Sequence, residues 1–262
     1  MIVPKKHLPD IQALHDDRNI PLDRVGVKGL RLPIIVLDKK MGTQKTIATV
    51  NMYVNLPHNF RGTHLSRFSE ILNEYRDIDW IDRTGEILRK IRDNLDADEA
   101  HIEIEFEYFI EKEAPVSEQT SLMSYICRFT SSYQKKEDFI LSVTVPVNTL
   151  CPCSKEISEF GAHNQRCNVT VQIRYKDFVW IEDIIELVES SASGGLFSIL
   201  KRPDEKFVTE HAYSNPRFVE DVVREVALKL DRVDDVTWYS VEAESQESIH
   251  NHNAFASVEK AK

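Results

Sequence analysis

The sequence predicts an α+β fold: antiparallel sheets with helices on one face, in two successive strand–strand–helix–helix–strand–strand runs. Three observations carry this. Strict apolar/polar alternation over Glu99–Lys112 marks a half-buried strand. Capped stretches with helical periodicity lie between strand-like pairs. The same order of elements then recurs in the second half of the chain, without close residue identity between the halves.

Taken in order, residues 1–33 read as an extended N-terminal arm, broken by Pro4, Pro9, Pro21 and Pro33 and carrying Arg18, Arg24, Lys28 and Arg31. Ile34–Asp38 and Thr46–Leu56 are strands, the second by alternation. Thr63 is an N-cap residue type ahead of the periodic HLSRFSEILNEY. Asp82–Leu95 is a second helix, and Glu99–Lys112 and Leu122–Tyr133 are strands. A first module therefore spans 34–137. In the second, 138–262, Asp138–Val147 and Cys167–Tyr175 are strands. Trp180–Ser190 and Pro216–Leu230 are helices, the latter with proline in its first turn. Val236–Glu244 and about Asn253–Glu259 close as strands. SASGGLFS at 191–198 reads as a helix cap or a backbone anion nest, the cap being favoured.

Composition narrows the class. An apolar content of 42% with 29% charged residues suits a soluble globular chain of 262 residues. Its four cysteines do not form a disulfide framework and point to the reducing cytoplasm. The N-terminus lacks the apolar core of a signal peptide. A net charge of −10 argues against a nucleic-acid partner. A small anionic ligand needs only a local cluster of cations and amides. The P-loop pattern G-x-x-x-x-G-K-[ST] is absent.

The chemistry concentrates in the long insertion between the second pair of strands, Asn148–Arg166. There Cys151 and Cys153 form a C-P-C step, followed by His163. Thiolate and imidazole are ligands that borderline metals such as zinc or ferrous iron accept. A buried structural role for the cysteines is the competing reading. Glu205, Glu220, Glu247, His250 and His252 are further candidates, each with a reading as a plain surface or helix-terminus residue.

Together these segments resemble the type IB GTP cyclohydrolases of the tunnelling-fold superfamily. The resemblance rests on VPVNTLCPCSKEISEFGAHNQR at 145–166, RGTHLSRF at 61–68, NPRFVED at 215–221 and ESIHNHNAFA at 247–256. It implies tandem tunnelling-fold modules whose barrels form by association, as a homotetramer. It also implies the first step of folate biosynthesis: GTP is opened at its imidazole ring to give 7,8-dihydroneopterin triphosphate and formate. The implied metal ligands for zinc, iron or manganese are Cys151, His163 and Glu205. Glu247 and His250 are the implied catalytic carboxylate and imidazole, alongside Cys151 and His163, and Glu220 is the implied anchor of the guanine edge. Cys153 is left open as ligand, acid–base group or structural thiol.

Physical chemistry fits these roles. Water activated by a metal can attack the weakly electrophilic C8, a His/Glu pair can move protons, and one carboxylate accepts both N1–H and N2–H₂ of guanine. Candidates for the triphosphate are Arg61, His64, Lys155 and Arg166, with Lys28, Arg31 and Arg67 behind them. Competing expectations are an archaeal-type cyclohydrolase with a cyclic phosphate product, a nitrile reductase of the same superfamily, and a non-catalytic metal- or nucleotide-binding regulator.

Overall fold

The computed structural model describes residues 10–12, 14–75 and 80–262, the side chains of 80–82 excepted. Pro4 and Pro9 of the predicted arm lie outside the described residues. The elements run β1 (Leu22–Asp38), β2 (Gly42–Leu56), α1 (Leu65–Glu74), α2 (Trp80–Leu95), β3 (Ala100–Glu113), β4 (Thr120–Tyr133), β5 (Glu137–Leu150), α3 (Pro152–Ile157), β6 (Asn164–Tyr175), α4 (Ile181–Glu189), β7 (Gly194–Gly195), α5 (Arg202–Ser214), α6 (Val219–Leu230), β8 (Val236–Ser245) and β9 (Ala254–Ala261). The strand order is β1-β2-β3-β4-β5-β6-β8-β9, with β7 on β5. The fold is the mixed α+β, antiparallel architecture that the alternation predicts.

The chain divides into two compact units. Of the described residues, one unit takes those within 1–36, 44–104 and 129–139, and the other those within 37–43, 105–128 and 140–262. In the first, Val50, Met52 and Val54 of β2 point inward on every second residue, and Phe68 and Ile71 of α1 join Ile87 and Ile91 of α2 in its core. In the second, β5 pairs β6 from Leu141↔Ile173 to Leu150↔Asn164. β6 pairs β8, and β8 pairs β9. Val143, Val145 and Val147 are wholly buried, as the period of two requires. Val219, Val222, Val223, Val226 and Leu230 form one buried stripe along α6, which packs on β8 and β9. Burying each such aliphatic side chain contributes about 1.5–3 kcal/mol.

Several elements differ from expectation. β1 begins at Leu22, well before the predicted Ile34. Its first half has no buried residue and so shows no alternation. Pro33 stands on a strand that ends the strand order, the place in a sheet where proline is accepted because every second N–H faces away from the neighbouring strand. His64, not Thr63, occupies the N-cap of α1, and the Thr63 carbonyl instead accepts from Gln12. Pro216 precedes α6 rather than opening it, because the next N–H, of Arg217, is drawn to the Leu150 carbonyl at 3.0 Å.

Helix α5 lies where no helix is predicted. Only Asp204 and Ala212 along it are buried, so it carries no apolar stripe to read. Gly194–Gly195 form β7 against Val147–Asn148 rather than a helix cap. At Gly195 a Cβ would stand 2.7 Å from Lys112 Nζ and 3.0 Å from Glu189 Oε2, so the Lys112–Glu189 ion pair would have to shift to admit a side chain.

Candidate active site

The β5–β6 ladder does not stop at Leu150↔Asn164. One more backbone bond, Cys151 N–H to His163 C=O at 3.1 Å, closes the neck of the insertion. Pro152 then starts α3, where its missing N–H is harmless, and Cys151 is the N-cap, its Sγ accepting from Ser154 N–H at 3.4 Å. The Ser154 hydroxyl donates to the Cys151 carbonyl at 3.2 Å and accepts the His163 N–H at 3.3 Å. Cys151 and His163 are thus brought together by the backbone, both part-exposed. Ile157 and Phe160, farther out in the insertion, are 78% and 91% exposed.

Beyond the neck, His163 Nδ1 lies 2.9 Å from Gln165 Oε1 and 3.5 Å from Ser248 Oγ. Gln165 Nε2 donates to Glu247 Oε1 at 3.2 Å. Glu247 opens the turn after β8, and His250 N–H closes it on the Glu247 carbonyl at 3.3 Å. The rings of His250 and His252 stack at 5.0 Å and are exposed.

The four cysteines separate into two classes. Cys127 and Cys167 are fully buried, and burial pushes both thiols up, Cys167 to about 12. Cys151 is part-exposed and Cys153 exposed. Only the C-P-C pair is open to a ligand.

Glu205 and Asp204 are adjacent on α5 and behave differently. Asp204 is fully buried and accepts from the N–H groups of Val116, Ser117 and Lys201 and from the Ser117 hydroxyl. Burial pushes its carboxyl up, but these hydrogen bonds outweigh burial and hold it well below the usual carboxylate range. Glu205 faces solvent. Among the described residues, no three His, Cys, Asp or Glu side chains gather closely enough to hold a metal ion. Within this chain, then, Cys151 and His163 are neighbours and Glu205 is not joined to them.

Glu220 lies exposed in the first turn of α6, at a cleft of about 490 Å³ that α6 lines with Ala256, Ser257 and Val258. A second cleft, of about 530 Å³, flanks the Cys–His insertion and is lined by Leu150, Asn164, Glu210 and Tyr213 among others. Lys155 Nζ donates to the Tyr213 carbonyl and stands over the Tyr213 ring. Arg166 is exposed on β6.

The remaining cations belong to the other unit. His64 Nε2 lies 3.0 Å from Asp10 Oδ2, and Arg67 donates to the Asn94 carbonyl. Arg61, Lys28 and Arg31 are exposed. Sequence reasoning passed over Ser154 and Gln165, whose types carry no chemical signature.

The family described as type I GTP cyclohydrolase folE2 matches residues 8–256. The chain belongs to this family. It is 61% identical over 252 residues to GTP cyclohydrolase FolE2 of Syntrophus aciditrophicus, covering 96% of this chain and 99% of that protein. To GTP cyclohydrolase FolE2 of Citrifermentans bemidjiense it is 55% identical over 258 residues, covering 98% and 97%.

Among solved structures, the urate oxidase of Bacillus sp. TB-90 aligns at a TM-score of 0.56 and 8% identity, over 92% of this chain and 100% of that chain. A uricase from Arthrobacter globiformis aligns at 0.50 and 6%, over 92% and 93%. At these identities the likeness is one of fold. As a type I GTP cyclohydrolase family member with the tunnelling fold, the chain has the ancestry that its Cys–His insertion suggests.

Proposed function

We propose that this chain is a metal-dependent GTP cyclohydrolase that opens the guanine imidazole ring of GTP to 7,8-dihydroneopterin triphosphate and formate, the first step of folate biosynthesis. The observation that carries the reading is the closed neck of the β5–β6 insertion, which seats Cys151 beside His163 with Gln165 and Glu247 behind them.

The donor chemistry fits a divalent zinc, iron or manganese ion. Cys151 Sγ is part-exposed, and His163 is engaged through Nδ1, which leaves Nε2 for a ligand bond. Cys151 and His163 would hold the ion, and it would supply an activated water at neutral pH. Glu205, which lies apart from them within this chain, would join them only if metal binding or assembly brings it there.

The chain's own residues then divide the work. Glu220 accepts N1–H and N2–H₂ of guanine and so anchors the purine edge. One water adds across N7=C8 and the C8–N9 bond breaks, leaving a formamide on N7; a second water hydrolyses it and C8 leaves as formate. The opened ribosylamine then rearranges to a 2′-ketone, which condenses with the freed N7 amine and loses water to close the dihydropterin ring. Each departing nitrogen takes up a proton. His250 delivers it, and Glu247, three residues earlier in the same turn, restores the imidazolium. Lys155 and Arg166 would neutralise the triphosphate.

A homotetramer belongs to this reading, since β1 and β9 end the strand order and are free to pair with another copy. So does a cytoplasmic location. No helix among the described residues is long and apolar enough to cross a membrane.

Purified protein incubated with GTP and a divalent metal tests the proposal. Formate and, after oxidation, a fluorescent pterin are expected in equal amounts. Intact GTP with every metal tried would reject it.

A further inference from the structure

The contact chain behind His163 has a direction. Gln165 offers its carbonyl oxygen to His163 Nδ1 at 2.9 Å and its amide N–H to Glu247 Oε1 at 3.2 Å. Both contacts are favourable in only one orientation of the amide. Turned round, its oxygen would face a carboxylate that can only accept, and its NH₂ would face the imidazole nitrogen. Glu247 therefore sets the orientation of Gln165. A carbonyl oxygen in turn demands a donor, so Nδ1 must carry the proton and Nε2 must present its lone pair. Ser248 Oγ, 3.5 Å from the same Nδ1, does not make this choice, because a hydroxyl donates as readily as it accepts.

We propose that Gln165 is a positioning residue for the metal centre: under the direction of Glu247 it fixes the Nδ1–H tautomer of His163 and so aims Nε2 at the ion. The proposal deepens the functional reading above, on which the ligand role of His163 rests. It gives Glu247 a second task besides proton transfer, since its carboxylate acts on His163 through one amide. Gln165 is well placed for this. It sits at the first turns of the β5–β6 ladder, paired with Thr149, and its carbonyl accepts from Thr149 Oγ, so the backbone beneath the side chain is held. Ligating imidazoles are commonly held by such a bond at the second ring nitrogen. Its loss costs 10–100-fold in metal affinity.

The test uses the full chain and two readouts that do not depend on turnover. Long-range ¹H–¹⁵N correlation on the metal-free protein reports which nitrogen of His163 carries hydrogen. Competition with a chromophoric chelator gives the affinity for zinc alone. Wild type is expected as the Nδ1–H form. Gln165→Leu should move His163 to the Nε2–H form or to a mixture and weaken zinc by roughly 10–100-fold. Gln165→Glu still accepts from Nδ1–H but sets its other oxygen against Glu247, so it should keep the tautomer while losing the contact to Glu247. Glu247→Gln leaves the amide of Gln165 free to turn and should give mixed tautomers, which keeps the proposal testable if Gln165→Leu folds poorly. An Nδ1–H form that persists in both Gln165→Leu and Glu247→Gln overturns it. So does zinc affinity unchanged by Gln165→Leu. The functional reading fails separately, if His163→Ala binds zinc as tightly as wild type.

Discussion

Two hairpins of this chain end in opposite ways. Between β1 and β2, Asp38 Oδ1 accepts the N–H groups of Lys40 and Met41 at 2.9 and 2.7 Å, and Gly42, at φ +82°, turns the chain back. This is an Asx turn without a candidate ligand, tied to α4 by the Lys39 N–H on Glu182 Oε1 at 2.7 Å. Between β5 and β6 the ladder is extended by the Cys151–His163 bond, and the chain then departs for a short helix and a loop before returning.

The difference shows where a loop can hold chemistry. The candidate ligands sit at the neck, where the sheet fixes the backbone, and the exposed Ile157 and Phe160 lie farther out. A third hairpin, β3–β4, is held from outside, by Asp204 of α5 on the N–H groups of Val116 and Ser117.

The largest effect is expected at the neck. Cys151→Ala should remove bound metal and lower the rate of formate release by at least ~10³-fold, since the ion and its activated water go together. Stability should change by less than about 1 kcal/mol, the scale of one N-cap contact, in a denaturant titration. Full metal occupancy without activity would move Cys151 from ligand to another role.

His250→Ala should leave fold and metal content intact and slow turnover by roughly 10²-fold, the usual scale of general acid–base assistance. Single-turnover formate release, with metal measured on the same sample, separates the alternatives. Loss of metal would make His250 a ligand, and near-normal release would remove it from the mechanism.

The Asp204 clamp predicts a pH dependence. Its carboxyl is depressed in the folded state, so its contribution is present above the unfolded carboxylate range near pH ~4 and is lost as pH falls below it. Asp204→Asn should lower the melting temperature by about 5 °C or more at pH 6. The gap to wild type should narrow in scans taken down to pH 2. A gap that widens with acid would contradict the assignment.

The smallest effect belongs to the plain turn. Asp38→Ala removes two hydrogen bonds to turn amides that water can satisfy, and should cost about 1 kcal/mol in denaturant with formate release unchanged. A matching loss of activity would blur the contrast between the two hairpins.

The legible parts of the chain are those with a repeating physical cause. β3 runs Ala100–Glu113 against a predicted Glu99–Lys112, because one face is buried on every second residue. α5 was hidden, because it buries almost nothing and pattern follows burial. The first half of β1 was hidden for the same reason. At the site, Cys151, His163 and Glu247 stood out by chemical type, whereas Gln165 did not, since an amide acquires its role from the two groups it touches. Asp204 and Glu205 are neighbours of similar chemistry. Only the fold makes one a buried clamp and leaves the other at the surface.

The central claim is that the Cys151–His163 neck organises hydrolytic opening of the guanine ring. The most direct measurement strips metal from wild type, Cys151→Ala and His163→Ala, restores one equivalent of zinc or manganese, and follows formate released per GTP consumed. The account predicts no formate from any metal-free sample, one formate per GTP from restored wild type, and neither retained metal nor formate from the two variants. Formate release by either variant at the wild-type rate would contradict it.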